Sequence, residues 1–468
     1  MEEILYRRFL NAFLIMLKKE RRRISKICTD SYSATQETVY VYAENYGCVA
    51  NRFDMELMLG QLIKEEYRLA ADPKKADVLL INTCGVKKPT EDRISERIRR
   101  LSRLDKPLII AGCLPRINIK AIQRVAPNFA VMLDPKSVDR IVNAVRLARE
   151  GKRGIIFFSD TVPMKLDLPI YRTSRVIGII MISEGCLGSC AYCCVRFARG
   201  ILHSFPMGAI VKKVREAVLD DTKEIWLTSQ DCGAYGADID ANLAELLRRC
   251  CEVPGRFLIR VGMMNPRHVL KILHELVDSF KNEKIFNFLH LPVQSGDDKV
   301  LRKMNRGYSV REFEEIVRTF RKEVPKLTLA TDIICGFPGE DLRAFENTIH
   351  LVEEIKPDVV NISRFFPRPG TPAEKMRQLD AKLIKSRSRR LSEIVRRVSW
   401  KKNEEWIGWE GEILVDEKGK GSSWIGRNFA YKPIVVRSDK NLIGRFLKVR
   451  VTRAFPTYLE ADIQKIRI

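Results

Sequence analysis

From residue 38 onward the chain alternates short apolar runs with amphipathic stretches, and that rhythm permits few architectures. "TVYVYAENYGC" reads as a strand and loop, "FDMELMLGQLIKEEY" as a helix with apolar residues three and four apart, and "ADVLLINTC" as a buried strand. "EDRISERIRRLSRL" is an amphipathic helix and "PLIIAGC" a third strand. Strands joined through helices pair in parallel, and a parallel sheet places all its carboxyl ends on one edge, where ligands bind.

The rhythm breaks at "GKRGIIFFSDTVPMKLDLPIYRTS" and then resumes. Six further strands are expected, at "VIGIIMIS", "EIWLTS", "FLIRVG", "FNFLHLPV", "LTLATDIICG" and "DVVNISRFF". Six β/α units make most of a TIM-type barrel but fall short of the eight that close one. After Met376 comes a long basic helix, and from about residue 408 short Val- and Ile-rich strands between Gly and Asp turns suggest a small β-barrel. The expected organisation is α/β: a basic extension at 1–36, a parallel-sheet (Rossmann-like) domain at 37–150, and a linker at 151–174. A partial (β/α)6 barrel with its trailing helix follows at 175–402, and a β-barrel at 403–468. "FLNAFLIML" in the extension is too short to span a bilayer, and "KKERRR" follows where a signal peptide would carry a cleavage site, so no membrane partner is expected.

Lys and Arg number 83 against 59 Asp and Glu, a net charge of +24. Such an excess favours a polyanionic partner, most often nucleic acid, although a heavily charged thermophile surface gives a similar balance. The helix over 382–402 carries nine Lys/Arg and one Glu, and is expected to track nucleic-acid phosphates unless it is only a solvated charged face.

Twelve cysteines in 468 residues are too few for a disulfide scaffold, and with no convincing secretory signal a reducing compartment and metal ligation are expected. Cys186, Cys190 and Cys193 have the spacing C-x3-C-x2-C just after the first barrel strand. Three thiolates on one short loop can hold an iron–sulfur cube and leave one iron open. Zinc is the rival, but it wants a fourth ligand, and neither a His nor a second C-x2-C knuckle stands nearby. Cys194 has no place in this spacing and is expected to point away from Cys193. Cys48, Cys84 and Cys113 are far apart in sequence, yet each follows an expected strand, so all three can converge at the carboxyl edge of the first sheet. Cys28, Cys232, Cys250, Cys251 and Cys335 lack such placement and read as core or surface thiols.

C-x3-C-x-Tyr-C, with Tyr192 before the third cysteine, resembles the radical S-adenosylmethionine (SAM) signature. Two cysteine triads in this order, with "NTCGVKKPTEDRI", "HLPVQSGDDKVLRKMNRGYS", "TDIICGFPGED" and "FPRPGTPAEKM", resemble the methylthiotransferases over roughly residues 38–468. "IGRNFAYKPIVV" lies in a part that resembles a TRAM domain, an RNA-binding module. "GCLGSCAYCCVRFARG" and "NTCGVKKPTED" look most like the archaeal and eukaryotic branch.

That resemblance implies a cytoplasmic tRNA-modifying enzyme with two [4Fe–4S] clusters and SAM. It would add a methylthio group to C2 of N6-threonylcarbamoyladenosine at tRNA position 37. One cluster, at Cys186, Cys190 and Cys193, would reduce SAM to methionine and a 5′-deoxyadenosyl radical. The other, at Cys48, Cys84 and Cys113, would present sulfur that a second SAM methylates. An electron donor and a sulfur source are implied as partners. A C2–H bond is not acidic, which makes radical rather than acid–base chemistry the natural route.

SAM needs a groove along the carboxyl ends of the barrel strands. Gln230, Asp231, Arg260, Gln294, Ser295 and Gly336 are candidates there, with Asp231 on ribose hydroxyls or the amino group, Arg260 on the methionine carboxylate and Tyr192 against adenine. Each could instead be a loop or core residue serving local structure. Arg196 and Arg199 follow the cysteine loop and are candidate partners for the threonyl carboxylate, packing against the barrel being the alternative. Two rivals remain: a ribosomal protein S12 methylthiotransferase, and a non-catalytic iron–sulfur RNA-binding protein, which would leave "GFPGE" and "HLPVQSG" without a purpose.

Overall fold

The computed structural model describes residues 38–464, and the extension at 1–36 lies outside them. The described chain forms two compact units. One runs to Thr173 and also takes in Cys194–Gly200; the other comprises Ser174–Cys193 and the chain from Ile201 on.

The first unit is built on β1 (Tyr40–Asn45), β2 (Arg68–Leu69), β3 (Val78–Thr83), β4 (Leu108–Gly112), β5 (Val131–Leu133) and β6 (Ile155–Phe157). They form one sheet in the order β2-β1-β3-β4-β5-β6, every pair parallel. Every residue of β3 and β4 is buried, as expected of strands covered on both faces. The helices are α1 (Val49–Lys64), α2 (Lys88–Ser102), α3 (Leu114–Ile117), α4 (Ile119–Val125) and α5 (Ile141–Arg149). On α2, Ile94, Ile98 and Leu101 recur at helical spacing and enter the core beside Leu79 and Ile81.

Residues 151–174 are not the linker that their composition suggests. Ile155–Phe157 extend the sheet, and beyond them the chain lies on α1, where Tyr171 N donates to Glu56 O at 2.9 Å. A Cβ at Gly60 would stand 2.3 Å from Pro169 O, so only glycine permits that approach. A three-residue strand between Gly154 and Ser159 offers too short a run for alternation to register.

In the second unit all six expected strands form: β7 (Ile177–Met181), β10 (Glu224–Thr228), β11 (Leu258–Val261), β12 (Phe288–His290), β13 (Thr328–Cys335) and β14 (Val359–Arg364). They are parallel in chain order, with a single bridge, Ile259 to Ile285, joining the two halves into a partial barrel. A two-residue pair, β8 (Ser183–Glu184) and β9 (His203–Ser204), flanks the cysteine loop; α6 (Val195–Arg199), which follows that loop, belongs to the first unit. The outer helices are α7 (Met207–Leu219), α8 (Leu243–Cys251), α9 (Pro266–Val269), α10 (Leu273–Ser279), α11 (Asp298–Lys303), α12 (Val310–Glu323) and α13 (Leu342–Ile355). Then come α14 (Ala381–Glu404) and a closed barrel of β15 (Glu410–Lys418), β16 (Ser423–Arg427), β17 (Pro433–Arg437), β18 (Phe446–Ala454) and β19 (Leu459–Ile463). Trp406, Val415, Val436, Val449 and Leu459 fill its interior.

This small barrel seals the amino-terminal mouth of the large one. Asn287 N, just before β12, donates to Phe429 O at 2.8 Å. Lys432 Nζ reaches Asp358 before β14 at 2.7 Å, Lys223 Nζ before β10 reaches Gly444 O at 3.1 Å, and Arg256 before β11 lies 3.8 Å above the Phe446 ring. Among the described residues no helix is long and apolar enough to cross a membrane.

Candidate metal centres

In the first unit Cys48, Cys84 and Cys113 follow β1, β3 and β4, which are neighbours in the sheet, so the three thiols meet at its carboxyl edge. Two glycines shape their turns. Gly47 has φ +122° and Gly112 φ +98°, and a Cβ at Gly112 would fall 2.4 Å from Thr83 O. Cys48 stands at the N-cap of α1, at the head of the helix that carries Asn51. Asn51 Oδ1 lies 3.6 Å from Cys48 Sγ and 3.7 Å from Cys113 Sγ, while Asn51 Nδ2 is fixed on Thr83 O at 2.8 Å. Burial, with Cys113 and Cys48 adding to it, holds the Cys84 thiol well above its ordinary range. Cys113 is pushed up to about 12, chiefly by burial, with Arg199 opposing the shift.

In the second unit Cys186, Cys190 and Cys193 share one loop around Gly188. A Cβ there would stand 3.3 Å from Cys186 Sγ and 3.7 Å from Cys190 Sγ, and Gly188 N donates to Cys186 Sγ at 3.2 Å. Burial first, then Asp231, pushes Cys186 up to about 11. The loop is clamped from several sides. Gln230 Oε1 accepts from Gly185 N at 2.7 Å, Ala191 N donates to Met304 O at 2.9 Å, and Asn305 Nδ2 donates to Ser189 Oγ at 2.8 Å. Arg306, only 5 % exposed, donates Nη1 to Cys190 Sγ at 3.2 Å. Tyr192 sets its edge against Phe337, centroids 6.3 Å apart.

Both triads suit an iron–sulfur cube. Their donors are thiols only, which excludes hard cations, and a bound metal would deprotonate Cys84, Cys113 and Cys186 against the burial that pushes those three up. Among the described residues no three His, Cys, Asp or Glu side chains are posed for a single metal ion. A cube carries each thiolate on its own iron, so its ligands stand further apart than those of one ion.

Three of the other candidate residues have different occupations. Arg199 is buried on α6 in the first unit, its Nη2 2.7 Å from Asp54 Oδ2 and 3.0 Å from Asn51 Oδ1, so it is not available to a substrate carboxylate. Arg260 points to the barrel floor, where its guanidinium lies 5.0, 5.2 and 5.3 Å from the Trp226, Phe288 and Tyr431 rings, and not to the carboxyl edge. Asp231 is buried, with Oδ1 accepting from Gly233 N and Asn265 N at 3.1 and 2.9 Å and Oδ2 facing His268 Nδ1 at 2.8 Å, so it orders its own loop. Ser295 Oγ takes Asp297 N at 3.3 Å, and Gln294 has φ +73° and bridges Ile333. Gly336 has φ +80°, and a Cβ there would meet Ile384 at 2.4 Å. Arg196 stays partly exposed. Cys194 belongs to the first unit, buried with Cys113, Ile117 and Ala198.

Sequence reasoning missed Arg306, Asn51, Asp54 and Lys165. Arg306 is 116 residues from the sulfur it touches, and a lone basic residue in "MNRGY" carries no periodic signal.

Three stretches of the chain match known family models. Residues 180–352 match the model of the radical SAM superfamily, 40–134 that of an uncharacterized protein family, and 406–463 that of the TRAM domain. A probable threonylcarbamoyladenosine tRNA methylthiotransferase from Pyrococcus horikoshii is 44 % identical over 91 % of this chain and 99 % of its own length. The human threonylcarbamoyladenosine tRNA methylthiotransferase is 35 % identical over 88 % of this chain and 72 % of its own. Among solved structures, a radical SAM methyltransferase from Kitasatospora setae superimposes with a TM-score of 0.54 at 14 % identity, covering 72 % of this chain and 77 % of that one, a likeness of fold alone. With such identity maintained along nearly its whole length, the chain belongs to the threonylcarbamoyladenosine tRNA methylthiotransferase family of radical SAM enzymes.

Proposed function

We propose that this chain converts N6-threonylcarbamoyladenosine at tRNA position 37 into its 2-methylthio derivative, in the cytoplasm, drawing on an electron donor and a sulfur source. The observation that carries the reading is the presence of two all-thiol triads, one per unit, in a chain that shares its length with relatives of that name. Bound at Cys186, Cys190 and Cys193 and at Cys48, Cys84 and Cys113, two [4Fe–4S] clusters together with SAM would supply the one-electron and sulfur-transfer chemistry.

The chain's own residues do the rest. Arg306 and Gly188 N–H donate to the sulfurs of Cys190 and Cys186, which fixes the loop. Gln230 holds the entry to that loop, and Tyr192 with Phe337 walls it. The small barrel closes the floor, so substrate and SAM enter from the carboxyl ends of the strands. Exposed cations on α14 and the TRAM domain attract the tRNA backbone, and Arg196 is the remaining candidate for the threonyl carboxylate. Purified holoenzyme given reductant and SAM should methylthiolate tRNA carrying threonylcarbamoyladenosine and leave unmodified or isopentenylated tRNA alone. Equal turnover of the isopentenyl substrate contradicts the assignment.

A further inference from the structure

We propose that Arg199 is a positioning residue for the cluster at Cys48, Cys84 and Cys113, raising its reduction potential and helping to retain it. The proposal rests on the assignment of a cluster to that triad. A guanidinium only 1 % exposed is costly to bury, and apolar packing would serve mere stability as well or better. Its surroundings point to the sulfurs. Nη2 bonds Asp54 Oδ2 at 2.7 Å, and Asp54 Oδ1 is held in turn by Lys165 Nζ at 2.6 Å, so the arginine has a fixed anchor behind it. In front of it, the guanidinium hydrogen-bonds the Cys113 thiol and meets Asn51 Oδ1 at 3.0 Å.

Asn51 Oδ1 explains why an arginine is needed there. In the free protein it faces two S–H groups, at 3.6 and 3.7 Å. Once those thiols become metal-bound thiolates the two donors vanish, and a carbonyl oxygen is left beside two anions. Arg199 then remains as its donor and as the cation offsetting the sulfur charge. A fixed positive charge beside a cluster stabilises the more negative, reduced form, so it raises the potential. The mount is rigid: α6 packs Cys194 and Ala198 against Cys113 and Ile117, and Cys194 Sγ donates to Gly85 O at 3.6 Å.

The test is redox titration of anaerobically reconstituted holoenzyme, followed by electron paramagnetic resonance, with iron counted in parallel. The cluster at Cys186, Cys190 and Cys193 serves as internal reference. Arg199→Gln keeps a donor and removes the charge. It should lower the reduced-to-oxidised ratio of the other cluster at least tenfold at fixed potential, 59 mV for one electron, or shed that cluster's iron alone. Arg199→Lys, which restores charge without the planar fork, should recover part of the shift. Full iron with an unmoved potential in Arg199→Gln overturns the proposal; if that variant yields no soluble protein, Arg199→Met, which also removes the charge, is titrated instead, and full iron with an unmoved potential there overturns it. A wild-type chain showing only one cluster overturns the proposal together with the assignment beneath it, and is told apart by failing before any substitution is made.

Discussion

Arg306 shows how much of a cluster loop is decided far from its cysteines. Its guanidinium makes three contacts: Nη1 to Cys190 Sγ at 3.2 Å, Nη2 to Pro292 O at 3.1 Å and Nε to Tyr308 Oη at 3.1 Å. Truncation would leave the sulfur without its charged donor and a hole under the loop. Arg306→Ala should therefore cut SAM cleavage about 10–100-fold, the range typical of lost outer partners of metal ligands, and Arg306→Lys should cost less. Release of 5′-deoxyadenosine checks this, and wild-type rates in the alanine variant would refute the role. Arg196 and Arg199 look alike in "CCVRFARG", but burial separates them. Arg196→Ala should weaken discrimination for the threonylcarbamoyl substrate, measured as the ratio of product from modified and unmodified tRNA.

At the scale of the element, α14 divides its charge between two faces. Arg387 is buried on Glu340 at 2.7 Å, Arg390 pairs with Glu346, and Arg397 Nη2 reaches Glu353 at 2.7 Å, so these three brace the helix on α13 and on the loop before it. Lys385, Arg389 and Arg396 are exposed at helical spacing and carry no such pairing. Neutralising these three should weaken tRNA binding and flatten its salt dependence by roughly 0.7–0.9 in log–log slope per lost phosphate contact. Arg390→Gln and Arg397→Gln should leave the slope unchanged. Equal effects from both sets would show that the whole helix faces RNA. The nine cations were legible in the sequence; their division was not, because it depends on the carboxylates of α13, some 44 residues away. The same limit explains the rest. All six barrel strands and both triads were legible, since hydrophobic runs and strand-end cysteines are local patterns. β6 was too short to register, and the placements of Arg199, Arg260 and Asp231 follow from packing that only the fold creates.

For the whole molecule, the TRAM domain is the floor of the catalytic barrel and not a detachable appendage. At the junction Trp226 Nε1 donates to Glu224 Oε1, while Asp416, Arg427, Arg260 and Tyr431 crowd the same carboxylate. Burial, with Asp416 adding to it, pushes Glu224 up to about 8. The folded form therefore binds this proton more tightly than the unfolded chain. Stability from this group is full below its ordinary value near 4.5 and is lost as pH rises through about 8. Glu224→Gln should flatten the dependence of thermal stability on pH between about 5 and 8; an unchanged slope would contradict the junction's role. Removing residues 403–468 should give an insoluble chain, because Arg260, Glu224 and Asp358 would lose their cover. The central claim is one chain with two thiol-held clusters performing a methylthiolation, and the most direct test is mass spectrometry of nucleosides from reactions on tRNA bearing threonylcarbamoyladenosine. Wild-type holoenzyme should yield the 2-methylthio nucleoside. The Cys48→Ala, Cys84→Ala, Cys113→Ala triple variant should still release 5′-deoxyadenosine, keep about half the iron and yield no methylthio product; methylthio product from that variant would contradict the account.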